Sequence, residues 1–416
     1  GAGGVGILVG FDPAFDEGHD SSSGKLNLSN SEVYGGRSAV VFRYGSVDIS
    51  SSTLYGMGDV SSFRISDDLA YYGTGFGLIN SSGEMKAEAR VRNGSCIYGR
   101  LNSVFMLGTP TLAISDSFIR GDCEDAFDFR GSGELRITGC SIVGVKGIDI
   151  FHDATYHGIR DAIDRTSGRF DSAIFRKNVL KDRAPSQKTS SADTKGVVRI
   201  SDTTMNLYTG VFSAIASVNG CAIQNHGHLE IGKGVRIYVR HSGAWDTLPS
   251  GERSDAIGIW NSKRIDLPDD IVIDTDDEGI NCTRDVSTLR SVMSFYFGMS
   301  SDETAQIEKK ACLDEKIFDY LDDGLCCSLT VRGGTIRGAD TGIMQTFGNL
   351  TIMPAVSVLI EGESYGISIG KNGVDNIYGD DAMDVSFKII GDGKTEVRSS
   401  LHGNGITIKK TTHGEL

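Results

Sequence analysis

The chain has 416 residues, of which 39% are hydrophobic, with 54 glycines, 6 prolines and a formal net charge of −14. That acidity excludes the basic surface a nucleic-acid binder needs, and no apolar run approaches the roughly 18 residues of a membrane span. Neither a nucleic-acid partner nor a transmembrane segment is therefore expected.

Residues 1–30 carry no repeat and are expected to form an N-terminal cap or irregular segment. Gly1-x-Gly3-x-x-Gly6 matches a dinucleotide fingerprint only in spacing, since no strand precedes it and no βαβ unit follows. The first ten residues lack the basic region and cleavage site of a signal peptide, so the leader of a secreted protein would lie outside this sequence.

From residue 31 to 416 the expected elements are short strands. Ala39-Val40-Val41-Phe42 and Gly75-Phe76-Gly77-Leu78-Ile79 open the series loosely. A phrase of acid, Gly or Ala, then aliphatic–x–aliphatic follows: Asp125-Ala126-Phe127-Asp128-Phe129, Lys146-Gly147-Ile148-Asp149-Ile150, Asp255-Ala256-Ile257-Gly258-Ile259, Glu278-Gly279-Ile280-Asn281-Cys282, Tyr365-Gly366-Ile367-Ser368-Ile369, Asp381-Ala382-Met383-Asp384-Val385 and Asn404-Gly405-Ile406-Thr407-Ile408. Several of these recur at about 21–24 residues, the period of a solenoid coil. Further alternating segments follow the phrase, as in Gly133-Glu134-Leu135-Arg136-Ile137 and Cys140-Ser141-Ile142-Val143, giving three strands per coil. Three short strands cannot bury their apolar faces alone, whereas stacked coils share a continuous core. A two-sheet sandwich has no reason to repeat a phrase at a fixed interval. The expected fold class is all-β, a single-stranded right-handed parallel β-helix. Few prolines fit strands paired on both sides.

Two stretches break the rhythm. Residues 158–195 hold nine Lys or Arg against five Asp and read as a basic, loop-like insertion. Residues 285–323 contain Ser300-x-x-Glu303, similar to a capping box, and a rough helical stripe, so a partly helical insertion is expected. The eight scattered cysteines, none in a Cys-x-x-Cys pair, read as buried thiols that pack as small hydrophobes.

Candidate chemistry lies first in the acids of the phrase. Asp125, Asp255, Glu278 and Asp381, with neighbours such as Asp277 and Asp380, recur at one position of the coil, so some should lie near one another along one edge of the stack, and Asp380, Asp381 and Asp384 form the densest cluster. These are hard oxygen ligands suited to Ca²⁺, and ordinary turn chemistry explains the same residues. Asp128 and Asp149 stand mid-phrase, face outward and should stack directly. Such a ladder of like charges needs a cation, a basic neighbour or a raised pKa. Trp245, Tyr71 and Tyr72 sit in loop-like contexts and offer aromatic faces of the kind sugar sites use. His226-x-His228 reads as a solvated turn rather than a metal site.

The phrase-and-coil pattern over residues 31–157 and 196–416 resembles the pectin-lyase-like superfamily of right-handed β-helices. Asp125 to Ile137 and Thr341 to Ile352 are similar to repeats of calcium-associated, carbohydrate-binding β-helix proteins of bacterial surfaces. The polygalacturonase-like branch fits poorly, because Asn404 stands where that branch has His within Gly-His-Gly, and no Arg-x-Lys follows. What the resemblance implies is a secreted or cell-surface protein that binds polysaccharide or host-surface glycan, with Ca²⁺ as the only cofactor and without catalysis. A polysaccharide lyase or glycoside hydrolase acting on an acidic polysaccharide, and a structural adhesin stalk, are the alternatives.

Overall fold

The computed structural model describes residues 4–58, 73–81, 85–131, 133–151, 163–164, 169–170, 196–209, 220–243, 255–282, 327–346, 348–370, 385–400 and 403–408. Among these residues all regular structure is β. Apart from the short antiparallel pair Ile163–Asp164 and Arg169–Phe170, the strands run parallel to their neighbours in a solenoid-like stack.

The strands fall into three columns that the chain visits in turn. The first column begins with Val5–Val9, Ser38–Phe42 and Thr74–Ile79 and ends with Asn404–Ile408. The second begins with Gly24–Ser29, Gly45–Ser50 and Ala87–Arg92 and ends with Val385–Ile389. The third begins with Glu32–Gly35, Thr53–Gly56 and Cys96–Gly99 and ends with Lys394–Ser399. Each pass through the three columns adds one rung, and each strand pairs with its counterpart from the neighbouring coil, except that His228–Ile231 and Arg264–Leu267 of the second column are not paired with each other and divide that column into two sheets.

Alternation drives the packing. In Ala87–Arg92 the residues Ala87, Ala89 and Val91 are buried while Glu88, Arg90 and Arg92 are exposed. The inward residues then stack by type: Ile223, Ile259, Ile280, Ile343 and Ile367 lie opposite one another on successive rungs, all fully buried. Burying each such side chain contributes roughly 1.5–3 kcal/mol.

The corner from the second to the third column stays short throughout, at most four residues between strands. It turns on one residue in the left-handed region, as at Asn30, Ser51, Asp116, Gly139 and Asp202. Buried hydroxyls follow, with Ser52, Ser117 and Thr203 donating back to the carbonyls of Ser50, Ser115 and Ser201 at 2.7–2.8 Å. The long intervals between consecutive strands, such as those after Phe151 and Cys282, all join the first column to one of its neighbours.

Three expectations need correction. Residues 1–30 supply two regular strands of the stack, Val5–Val9 and Gly24–Ser29, and the segment between them is tied down by Tyr44 Oη donating to Asp12 (2.7 Å) and by Arg43 on Asp16 (3.0 Å). The phrase at 255–259 is out of step by two residues, because Ile259 rather than Ile257 pairs with Ile280. The reason is steric: a Cβ on Gly258 would lie 2.5 Å from Ile273 Cγ2 of the third column, so the small residue is demanded there and Ala256 is incidental. Val385 opens a second-column strand opposite Gly348, so it does not take the first-column place that the phrase gives its last residue. The expected insertion at 285–323 lies outside the described residues, as does all of 158–195 but the antiparallel pair.

Candidate functional site on the first column

The outward side chains of the first column form an in-register row: Phe105, Asp128, Asp149, Gln224, Trp260, Asn281, Met344 and Ser368. Outward residues of the second column, such as Arg136 and Glu230, are exposed. Those of the first column are shielded, with Asp128 at 2%, Asp149 at 6% and Gln224 at 8% exposure, while Trp260 and Asn281 are half-buried.

The expected stacking of Asp128 on Asp149 is present, and two devices relieve its repulsion. The first is Arg130, two residues on along the same face, whose guanidinium grips both Asp128 oxygens at 2.6 Å and lies 5.6 Å from the Phe105 ring centroid. The second is a shift towards the neutral form: burial, then the Asp125 charge, pushes the Asp149 carboxyl well above the usual range, against the pull of Lys146. Asp149 Oδ1 has no hydrogen-bond partner. Neighbouring strands are about 4.8 Å apart, so a carboxyl held towards its protonated form sits one rung from a carboxylate paired with arginine. That arrangement can donate and accept hydrogen bonds side by side.

Further along, Gln224 Nε2 lies 2.9 Å from His226 Nε2, and His226 Nδ1 lies 2.8 Å from Ser262 Oγ. His226 is buried at the end of its strand, not solvated in a turn; only His228 is exposed. Trp260 continues the row, its indole Nε1 meeting no acceptor.

Among the described residues the recurring acids do not form one continuous row. Asp125 is followed on the next rung by Lys146, whose Nζ stands 3.8 Å from Asp125 Oδ1 where a bound cation would otherwise lie. Two of the expected acids, Asp255 and Glu278, do come together, with Asp277 and Asp340, in an acidic corner. There burial, then Asp255, Asp277 and Asp340, pushes Glu278 up to about 8, and burial with Asp277 raises Asp255. Asp277 Oδ2 accepts from the backbone N–H of Ala256 at 2.6 Å and lies 2.8 Å from His241 Nε2. Among the described residues no group of three or more His, Cys, Asp or Glu side chains is arranged to hold a metal ion. Trp245, Tyr71, Tyr72, Asp380, Asp381 and Asp384 lie outside the described residues.

Arg130 and Gln224 were not legible as site residues, because nothing in their local sequence departs from ordinary alternation. A second feature had a signal that was available: Val33-Tyr34-Gly35, Leu54-Tyr55-Gly56 and Ile97-Tyr98-Gly99 repeat a phrase of their own. Their tyrosines stack on the outer face of the third column, Tyr34 on Tyr55 at 4.6 Å and Tyr55 beside Tyr98 at 6.1 Å. Arg120 extends the ladder over Tyr98. Burial and the hydrogen bond to Asp122 push the Tyr98 phenol up to about 12.

No protein-family model matches the chain, no curated protein matches it, and no solved structure matches it.

Proposed function

We propose that the chain is a right-handed parallel β-helix of the pectin-lyase-like kind, secreted or displayed at a cell surface, that binds polysaccharide or surface glycan along the outward face of its first column without cleaving it. The hand is supported by the parallel crossovers, which are right-handed in about 98% of cases. The binding reading rests on one observation: Asp128, Asp149, Gln224, Trp260 and Asn281 line up on successive rungs, offering carboxyl, amide and indole groups at the spacing of the strands. Sugars are held by an apolar face beside polar groups that fix their hydroxyls. The half-buried Trp260 and Asn281 give the accessible part of the row.

Hydrolysis or elimination is the second reading, favoured by the raised carboxyl of Asp149 one rung from Asp128, since an acid and a carboxylate are the parts a glycosidase needs. A panel of acidic and neutral polysaccharides, assayed for binding and for release of reducing or unsaturated ends, separates the two. Binding without new ends, weakened by Trp260→Ala, is the expected result. Turnover abolished by Asp149→Asn would replace binding by catalysis, and no interaction with any polysaccharide would remove both.

A further inference from the structure

Cys282 is the last residue of the first-column strand Glu278–Cys282, and Cys327 immediately precedes the second-column strand Ser328–Val331. Forty-four residues of sequence separate them, yet their places on the stack are adjacent. On the neighbouring rung Cys282 lies opposite Asn261, and Cys327 lies opposite Lys263, as the pairing of Ser328 with Arg264 requires. Asn261 and Lys263 are only two residues apart, a span of at most about 7 Å and less where the chain bends round a corner. Disulfides bridge Cα atoms about 4.4–6.8 Å apart.

The side chains converge as well. Both cysteines are fully buried. Asn261 Nδ2 lies 3.9 Å from Cys282 Sγ and 3.6 Å from Cys327 Sγ, so the two sulfurs flank one amide group. That amide is held from the other side by Lys263, whose carbonyl accepts from Nδ2 at 2.6 Å and whose N–H donates to Oδ1 at 3.1 Å. Cys282 and Cys327 are thus brought together by the register of the stack.

We propose that Cys282 and Cys327 are a redox clasp that closes by disulfide formation between the end of the first-column strand Glu278–Cys282 and the start of the second-column strand Ser328–Val331. The reaction is thiol–disulfide exchange with a small-molecule disulfide such as oxidised glutathione. The thiolate of one cysteine attacks the oxidant, releasing one reduced thiol. The second cysteine, deprotonated, attacks the mixed disulfide and releases the other, so the protein loses two protons and two electrons and the oxidant gains them. Because both thiols are buried in the folded stack, closure belongs to folding or to transient opening of this corner. The clasp joins the first and second columns one residue from Asn281 in the outward row.

The test is to refold the full chain carrying Cys326→Ser, which removes the ambiguity of the neighbouring thiol, in a glutathione redox buffer. Free thiols are then alkylated in denaturant without reductant, and the protein is digested for peptide mass spectrometry. A linked peptide joining Cys282 to Cys327 is expected, abolished by dithiothreitol and absent from the Cys282→Ser variant, with a melting temperature that falls on reduction in the parent and not in the variant. Alkylation of both cysteines in protein that has regained its native β circular dichroism would overturn the proposal. So would a dominant link from either one to a different cysteine.

Discussion

Asp149 and Glu278 show how one residue's surroundings set a measurable property of the whole chain. Glu278 is raised to about 8 in the folded protein against an ordinary value of 4.5. A carboxyl raised on folding stabilises the protein fully below its unfolded value, and that contribution is lost as pH climbs towards the folded value. Stability should therefore decline between about pH 4.5 and 8, and Glu278→Gln should flatten that decline, recovering roughly 2–4 kcal/mol at pH 8. Thermal or urea melts of the two proteins across this range give the answer; parallel pH profiles would show that Glu278 is not held neutral. Asp149→Asn should act in the same direction. Losing the Asp128 carboxylate should instead destabilise. Its removal leaves Arg130, with a side chain only 12% exposed, short of the carboxylate that grips it, so Asp128→Asn should cost about 3 kcal/mol in a denaturant melt. A cost below about 1 kcal/mol would mean that the pair contributes little.

At the scale of the element, the corners carry the constraint. Gly139 has φ 66°, and a Cβ there would lie 2.7 Å from Asp116 Oδ1. Gly139→Ala should destabilise by about 1–2 kcal/mol, the cost of a left-handed residue with a Cβ. Gly258→Ala should cost about as much or more, for a different reason, since its Cβ would press on Gly279 O at 2.4 Å and on Ile273. Ala256→Gly, two residues earlier, should be milder, and the ranking of these variants in urea checks the two-residue shift of the phrase. The strands themselves were legible because alternation and the small residue both leave marks in the sequence. Their register was not, because a small residue followed by isoleucine occurs twice, at Ala256-Ile257 and Gly258-Ile259, and only the third-column neighbour chooses between them. Val385 misled for a related reason: small–aliphatic alternation is common to all three columns and says nothing about which one a strand joins.

For the whole molecule, the three columns turn a one-dimensional repeat into a face with a defined row of chemistry. Asp128 and Asp149 could be read as an outward pair from their 21-residue spacing, since a solenoid stacks equivalents. The membership of Gln224 and Trp260 could not, because long intervals before Gly220–His226 and Ala256–Asn261 hide the period. On the rung after Asp125 the same position holds Lys146, a single residue that changes the sign there, whereas Asp255 and Glu278 do gather in one corner. Against the binding reading, the stalk alternative expects no interaction along this face, and the enzyme alternative expects product. The most direct measurement is therefore isothermal titration of the strongest-binding polysaccharide into wild-type protein and the Trp260→Ala variant, with both shown to melt alike. Loss of at least about tenfold in affinity, some 1.4 kcal/mol, is the expected result. Equal affinities for the two proteins would contradict the placement of the glycan on the first column.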